Sequence, residues 1–333
     1  MRQPARRSMV EYLSQAMELH RRYPLVDGHA DSILMVLDGK RTLATESSLG
    51  HIDWPRARAA GVACTIQTAY PAPVYYPVAA KRVGDSIDAL LNQIEAGEGV
   101  RLALTAQDIR EAHAAGELAV LLNIEGAEGI QGSLGLLRNY YRLGVRMMGL
   151  VWNFRNEVAD GAAEEGSGAG LTRFGREVVR EMNRLGMLID LSHITAPGFF
   201  EVLELSEQPV LFTHGNCRAL WDHARNLTDE QIKALAAKGG VFGISFVNMF
   251  MGKENVTLST VADHIDHVCQ LVGNAEHVAY GSDFDGCTPP PGLEDVTRFP
   301  YLTAELLRRG YSETDLAKIL GENYLRVFSQ VLR

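Results

Sequence analysis

The sequence has few cysteines for its length. Its 333 residues contain only four, Cys64, Cys217, Cys269 and Cys287, and no two of them form a Cys-x-x-Cys pair. A chain of this length buries a sufficient core without cross-links, so a disulfide framework is not expected. The pattern predicts free thiols and a reducing compartment.

The sequence also lacks long apolar runs. No stretch approaches the roughly 18 consecutive apolar residues that a membrane-spanning helix requires. The segment Met1–Tyr23 has basic residues at its start but no apolar region behind them, so it predicts an amphipathic helix and not a signal peptide. The last residues, which end at Arg333, lack the hydrophobic tail of a lipid-anchor signal. We therefore expect a cytoplasmic protein without a membrane partner.

Basic residues are outnumbered by acidic ones. The chain has 32 Lys and Arg against 41 Asp and Glu, which gives a formal net charge of −9. This balance argues against nucleic acid, or an anionic membrane surface, as the main partner. Hydrophobic residues make up 46% and charged residues 22%, the values of an ordinary globular protein, which excludes a disordered or collagen-like chain.

Short apolar runs alternate with amphipathic segments along the chain. Eight runs predict strands, at Leu25–His29, Val62–Thr68, Ala119–Glu125, Val145–Val151, Leu188–His193, Val210–His214, Val241–Phe246 and His277–Asp283. Helical patterns lie between them, at Arg82–Glu95, Gln107–Ala115, Arg173–Leu185, Glu230–Ala237 and Val261–Leu271. Continuously apolar strands indicate a parallel sheet that is covered on both faces. Eight of them fit a closed (β/α)₈ TIM-type barrel better than an open, doubly wound sheet.

No linker rich in Pro, Gly or Ser divides the chain. We therefore predict a single domain over residues 1–333, with residues 1–23 as an N-terminal helical extension.

Polar side chains collect where the predicted strands end. His29 ends the first strand and Asp31 follows it, and Glu125 ends the third strand. The other three are His193, His214 and Asp283, at the ends of the fifth, sixth and eighth strands. The carboxyl ends of all barrel strands meet on one face, where active sites of this fold lie. The sequence thus predicts that these side chains share one site.

The residue types at this face predict a metal centre. His29 and Asp31 are two residues apart, so in extended backbone both project to the same side and can hold one ion. His193 and His214 come from adjacent strands and can hold a second ion, and Glu125 lies between the two pairs and can bridge both. Mixed nitrogen and oxygen ligation suits Zn²⁺ best, with Mn²⁺, Co²⁺ or Fe²⁺ as alternatives.

A two-ion centre predicts hydrolytic chemistry. Two ions about 3.5–4 Å apart share a water molecule and lower its pKa towards about 7, which supplies a metal-bridged hydroxide at neutral pH. Asp283, at the end of the last strand, is then placed to accept the proton of that water and return it to a leaving amine.

These motifs resemble those of the membrane (renal) dipeptidases, metallopeptidases within the amidohydrolase-like barrels. The resemblance extends from about Tyr23 to about Phe328, with the motifs in the same order. It rests on Asp-Gly-His29-Ala-Asp31, Asn-Ile-Glu125-Gly, Asp-Leu-Ser-His193, Thr-His214 followed by Arg225-Asn-Leu-Thr-Asp, and Gly-Ser-Asp283-Phe-Asp-Gly.

The resemblance implies a zinc-dependent dipeptidase for small dipeptides with free termini, a C-terminal D-residue included. It implies two zinc ions, one held by His29, Asp31 and Glu125, the other by Glu125, His193 and His214. It also implies that Arg225 binds the terminal carboxylate of the dipeptide and that Asp283 is the acid/base and contacts the free amino group. Because members of the family are commonly homodimers, a homodimer is expected.

The sequence departs from the family pattern at two places. Many relatives have a Leu-Thr-His-Asn run whose histidine helps to polarise the scissile carbonyl, but this chain has Leu150-Val-Trp152-Asn153. Either polarisation by the metal suffices, or Asn153 or Asn156 substitutes, and we expect Trp152 and Asn153 to bind substrate. Many relatives also have Phe-Tyr where this chain has Phe246-Val247, so a substrate-facing hydroxyl is missing.

Two other functions remain open at this stage. One is another amidohydrolase-type reaction on a lactone, a phosphoester or an exocyclic amine. Many such barrels bridge their metals with a carboxylated lysine, and no lysine lies at the predicted strand ends here, which favours the peptidase. The other is a non-hydrolytic biosynthetic or binding protein that retains the barrel.

Four further residues are expected to have structural or surface roles. We expect Asp285 to be a loop residue behind the site and Cys217 not to act as a nucleophile. His264 and His267, three apart in a predicted helix, are expected on a solvated face.

Overall fold

The computed structural model describes residues 7–333, and the strands in this part of the chain all run parallel. They are β1 (Leu25–Ala30), β2 (Val62–Ala69), β3 (Val100–Leu102), β4 (Leu118–Ile124), β5 (Val145–Gly149), β6 (Leu188–Asp190), β7 (Leu211–Gly215), β8 (Val241–Ile244) and β9 (Val278–Tyr280). Each of the eight predicted strands is present. The strand β3 was not predicted, because three half-buried residues with an arginine in the middle give no apolar run.

Eight of these strands form a barrel. Neighbouring strands pair in the order β1-β2-β4-β5-β6-β7-β8-β9, while β3 lies off this path and pairs with the start of β4. Main-chain hydrogen bonds join the last strand to the first: the Asp31 N–H donates to the Phe284 carbonyl at 2.9 Å, and the Asp283 N–H donates to the His29 carbonyl at 3.0 Å. The predicted (β/α)₈ barrel is confirmed.

Helices connect the strands and surround them. The α-helices of the described chain are α1 (Met9–Arg22), α2 (Ile33–Leu37), α3 (Trp54–Ala59), α4 (Ala79–Ala96), α5 (Ala106–Ala115), α6 (Leu134–Arg142), α7 (Arg173–Leu185), α8 (Ala196–Leu205), α9 (Asp229–Ala237), α10 (Leu258–Val272), α11 (Phe299–Arg309), α12 (Glu313–Ala317) and α13 (Asn323–Val331). Short 3₁₀ turns lie at Pro73–Val78, Ala127–Ile130, Ala162–Glu164, Asn248–Phe250 and Val296–Arg298, and one π-helical turn lies at Lys318–Glu322. Among residues 7–333, none of these helices has both the length and the apolar character to cross a bilayer.

Side-chain caps fix where several helices begin. The Thr228 hydroxyl accepts the Gln231 N–H and the Gln231 side chain accepts the Thr228 N–H, the reciprocal pair that satisfies two free donors of α9. Ser8 and Glu11 make the same pair at the start of α1. The helix α1 lies within the segment 1–23 that was expected to be helical, and residues 1–6 of that segment lie outside the described chain.

The lower end of the barrel is filled. The hydroxyl of Tyr324, from α13, lies inside and donates to the Tyr280 carbonyl at 3.2 Å. Gly243 and Gly281 are required beside it, because a Cβ atom at either position would collide with the Thr213 carbonyl oxygen. The barrel interior is therefore closed at this end and open at the carboxyl ends of the strands.

Two strands, β6 and β9, end three residues earlier than predicted. His193 and Asp283 were placed inside strands, but β6 ends at Asp190 and β9 ends at Tyr280. His193 has φ +70° and Asp283 has φ +61°, left-handed conformations that cannot continue a strand. Non-glycine residues in this region cost about 1–3 kcal/mol each and cluster at functional sites.

The prediction for His264 was wrong. This residue is buried, and its Nδ1 atom accepts a hydrogen bond from the Cys217 N–H at 3.0 Å. Only His267 lies near the surface, where it pairs with Asp229. Burial raises the pKa of the Cys217 thiol above its usual range, which agrees with its exclusion as a nucleophile.

Candidate metal centre

All five predicted metal ligands converge above the barrel. The Nε2 atom of His29 lies 3.6 Å from an oxygen of Asp31 and 3.6 Å from one oxygen of Glu125. The other oxygen of Glu125 lies 2.8 Å from Nε2 of His193 and 3.5 Å from Nε2 of His214. All five side chains are buried. Residues as far apart in sequence as 29 and 214 thus present their ligand atoms to one small volume.

These residues form two groups that share Glu125. His29, Asp31 and Glu125 are one group and Glu125, His193 and His214 are the other, with the ligand atoms of each group within 4.8 Å of one another. They coincide with the two ligand sets that the family resemblance implies. A third group joins His29 and His214 to Asp283, which puts the carboxylate of Asp283 within reach of an ion.

Hydrogen bonds outside the centre orient two of the imidazoles. The Thr213 hydroxyl donates to Asp190 at 2.7 Å, so it accepts from Nδ1 of His214, 2.9 Å away. Nδ1 of His193 lies 2.8 Å from the amide oxygen of Asn153, an acceptor. With the proton of each ring on Nδ1, the Nε2 lone pairs point into the centre, the arrangement typical of metal-ligating histidines.

The side chains fit a divalent cation. The Nε2 atoms of His193 and His214 face each other at 2.9 Å. Nε2 of His29 and one oxygen of Asp31 are buried without a hydrogen-bond partner in the described chain. An unsatisfied buried polar group costs about 1–3 kcal/mol, and a cation among these atoms would satisfy all of them together. Imidazole and carboxylate are ligands of Zn²⁺ and its neighbours in the first transition row.

The electrostatics of the centre favour ligand-ready forms of three residues. Burial alone would raise the pKa of Glu125, but His29, His193 and His214 outweigh it and hold that pKa well below its usual range. Burial, then Arg225, lowers the pKa of His193 to about 3. Burial, then His29, lowers the pKa of His214 well below its usual range. Near neutral pH these histidines are uncharged and Glu125 is ionised, as metal ligation requires.

Arg225 lies beside the centre with free donors. It is 5% exposed, its Nη2 atom donates to the His214 carbonyl at 3.3 Å, and its guanidinium lies 5.3 Å from the centre of the Phe250 ring. Within residues 7–333 its Nε and Nη1 atoms have no hydrogen-bond partner. Burial lowers the pKa of Arg225 to about 10, so the group remains charged at neutral pH.

A cavity of about 890 Å³ opens above these groups. Its walls include Asp31, Glu125 and His193 of the ligand set, and also Arg225 and Asp283. One small molecule in this cavity can therefore contact the metal-ligand residues, the buried guanidinium of Arg225 and the carboxylate of Asp283.

The residues that depart from the family pattern lie at this cavity. Trp152 and Asn153 both line it, and the Trp152 ring centre is 5.9 Å from that of His193. Asn153 orients His193, as described above. Asn156 is used within its own loop, because it donates to the Leu150 carbonyl and accepts the N–H groups of residues 158 and 159.

Two features of the site were not predicted from the sequence. Tyr70 lines the cavity and packs on Trp152 with ring centres 5.3 Å apart. Its place directly after β2 was an available signal. The other is Arg41, which donates to Asp285 at 2.6 Å, with both side chains at most 2% exposed. No local pattern indicates this pair, because its members are 244 residues apart.

The Arg41–Asp285 pair should stabilise the loop that carries Asp283. Arg41→Met leaves the carboxylate of Asp285 buried without its cation, so we expect the free energy of unfolding to fall by about 3–5 kcal/mol. Lys40→Met is the matched control, since Lys40 makes only an exposed ion pair. Urea unfolding of the two variants measures the difference. Equal stability of Arg41→Met and the wild type would contradict this role.

Comparison with known proteins identifies the family. The family model for membrane dipeptidases, peptidase family M19, matches residues 13–333. Dipeptidase verJ of Clonostachys rogersoniana is 36% identical over 343 residues, which cover 96% of this chain and 87% of that protein. Dipeptidase 3 of Mus musculus is 35% identical over 333 residues, and the match covers 95% of this chain and 66% of the mouse protein.

A solved structure agrees with the sequence relatives. A metallopeptidase from Rhodobacter sphaeroides, bound to a phosphinate mimic of the dipeptide L-Ala-D-Ala, superposes with a TM-score of 0.85 at 30% identity. The superposition covers 93% of this chain and 99% of the other. The resemblance inferred from the strand-end motifs is confirmed: the chain belongs to the membrane dipeptidase family, peptidase family M19, and is a metal-dependent dipeptidase.

Proposed function

We propose that this enzyme binds two zinc ions bridged by Glu125 and hydrolyses small dipeptides whose two termini are free. The proposal is carried by one observation, that two ligand groups share Glu125 beside a buried arginine with unpaired donors. When bound, such ions polarise the scissile carbonyl and lower the pKa of a water molecule.

Arg225 would bind the carboxylate end of the dipeptide. A guanidinium forms paired, charge-assisted hydrogen bonds with a carboxylate, and these are strongest where water is excluded. Arg225 is buried, charged and open to the cavity, and it lies on the side of His214. A buried arginine at this position would require a free C-terminal carboxylate on the substrate. The enzyme would therefore act on dipeptides and not on proteins.

Asp283 would serve the other end of the dipeptide. Its N–H donates to the His29 carbonyl, and a Cβ atom placed at Gly286 would touch the carboxylates of both Asp31 and Asp283. The carboxylate of Asp283 therefore lies beside that of Asp31. There it would contact the free amino group, accept a proton during attack by water and deliver it to the leaving amine.

Acceptance of a D-residue at the C-terminal position is also part of the proposal. Its support is the Rhodobacter sphaeroides relative, whose bound molecule mimics L-Ala-D-Ala. Parallel assays of L-Ala-L-Ala and L-Ala-D-Ala test it, and we expect turnover of both.

The metal content of the purified protein tests the two-ion centre. We expect about two divalent ions per chain in the wild type, because five ligands with one shared carboxylate are available. Glu125→Gln should lose at least one ion and most of the activity. Glu128→Gln, three residues along and outside the ligand groups, is the control and should retain both ions. Elemental analysis that finds metal-free wild-type protein with full activity would refute the centre.

We also propose that the enzyme works in the cytoplasm as a homodimer whose chain folds as one domain. The four cysteines are all free thiols, which suits a reducing compartment, and members of the family commonly pair. Cell fractionation, sedimentation and a single cooperative unfolding transition are the respective tests.

A further inference from the structure

Two aromatic side chains, Tyr70 and Trp152, form part of the cavity wall and belong to a row of three aromatic rings. The rings of Tyr70 and Trp152 are 5.3 Å apart, and Phe154 continues the row at 5.7 Å from Trp152 towards the surface, where it is 44% exposed. Trp152 also lies against His193 of the ligand set. The row therefore begins at the reacting centre and leads outward, with Leu34 also lining the cavity.

The cavity is larger than the smallest dipeptides need. A volume of about 890 Å³ is in the range that holds a drug-sized molecule, so two methyl side chains would leave most of it filled with water. Contact between that water and the aromatic rings contributes little binding free energy. Burial of a large apolar side chain against the rings contributes more, and stacked or edge-to-face aromatic pairs add about 0.5–1.5 kcal/mol beyond the area burial.

Tyr70 lies on the side of the site where the free amino group would bind. It directly follows β2, which is two strands from β9, the strand before Asp283, and four strands from β7, the strand before Arg225. Asp31 follows β1, between β2 and β9, and lies beside Asp283, whereas Arg225 is beside His214. If the termini bind to Asp283 and Arg225 as in the proposed function, on which this step rests, the N-terminal side chain meets Tyr70 and Trp152.

We propose that Trp152 and Tyr70 make this enzyme selective for dipeptides whose N-terminal residue has a large, preferably aromatic, side chain. Trp152 occupies the position where many relatives have histidine. An indole cannot exchange a proton as an imidazole does, but it offers a broad apolar face. The replacement therefore turns a polar position at the centre into part of a binding wall.

Steady-state kinetics on the metal-loaded enzyme test this selectivity with Phe-Ala, Ala-Phe and Ala-Ala. We expect kcat/KM for Phe-Ala to exceed that for Ala-Ala by about ten- to a hundredfold, the scale of burying one large side chain. Trp152→Ala should reduce the ratio of kcat/KM for Phe-Ala to that for Ala-Ala to less than about threefold, whatever the change in the absolute rates. Tyr70→Ala should act in the same direction. Leu143→Ala is the control, because it removes an exposed apolar side chain from the turn between α6 and β5.

Three results would overturn the inference. These are equal kcat/KM for Phe-Ala and Ala-Ala, a preference for Ala-Phe, or a Trp152→Ala variant that loses both substrates to the same degree. Turnover of none of the three by metal-loaded enzyme would instead count against the proposed function. In that case calorimetry decides the inference separately: tighter binding of Phe-Ala than of Ala-Ala, abolished by Trp152→Ala, supports the aromatic wall, and equal binding overturns it.

Discussion

Asp283→Asn should lower kcat by about 10²–10⁴ while the metal content stays near that of the wild type. His29, Asp31, Glu125, His193 and His214 already supply two ligand groups without this residue. Hydrolysis of an amide still requires protonation of a poor leaving amine. Asparagine keeps the size and hydrogen-bonding reach of aspartate but cannot accept that proton.

Metal analysis must accompany the kinetics of this variant, because Asp283 also forms a possible ligand group with His29 and His214. A modest loss of metal is compatible with the proposal. Asp285→Asn is the matched control: it lies two residues along in the same left-handed loop and retains acceptors for Arg41, so we expect less than a tenfold change in kcat. Near-normal kcat in Asp283→Asn, or inactivity that follows only from loss of both ions, would exclude the proton-shuttle role.

Conversion of the C-terminal carboxylate of a good substrate to an amide should cost about 2–5 kcal/mol in kcat/KM, a factor of roughly 30 to several thousand. The reason is that Arg225 is buried and that its Nε and Nη1 atoms find no partner in the described chain. An amide leaves this cation without its counter-charge in a site that excludes water.

A double-mutant cycle assigns this effect to Arg225. In Arg225→Met the acid and the amide should be hydrolysed at similar, low rates, because the group that distinguishes them has been removed. Arg218→Met is the control: Arg218 pairs with Glu165 and Asp222 near the surface, so that variant should keep the discrimination. Wild-type enzyme that hydrolyses the acid and the amide equally well would refute the exopeptidase assignment.

The sequence was most informative where local pattern and fold geometry agree. Continuous apolar strands gave the barrel, and the barrel places all strand ends on one face, so residues as distant as His29 and His214 could be assigned to one centre. The ligand types then followed from their spacing and from the family motifs. The structure brings the other four ligands within a few ångströms of Glu125.

The sequence was least informative about contacts that no local pattern encodes. The left-handed backbone of His193 and Asp283 is imposed by the surrounding loops, and both residues favour other conformations in isolation. His264 accepts a hydrogen bond from the Cys217 N–H, 47 residues away in the sequence. Two histidines three residues apart in a helix give no sign of such a distant contact, and this pattern is also typical of a solvated helix face. The aromatic row required the relative positions of two loops, those after β2 and β5, although each of its members follows its strand closely.

Titration of metal-stripped enzyme with Zn²⁺, with bound metal and dipeptide turnover measured on the same samples, tests the central claim most directly. A centre bridged by Glu125 predicts that hydrolysis appears only as ions bind and reaches its maximum at about two per chain. It also predicts that Glu125→Gln neither binds the full complement nor regains activity. Full turnover by protein that holds no metal, or Glu125→Gln with wild-type stoichiometry and rate, would contradict it.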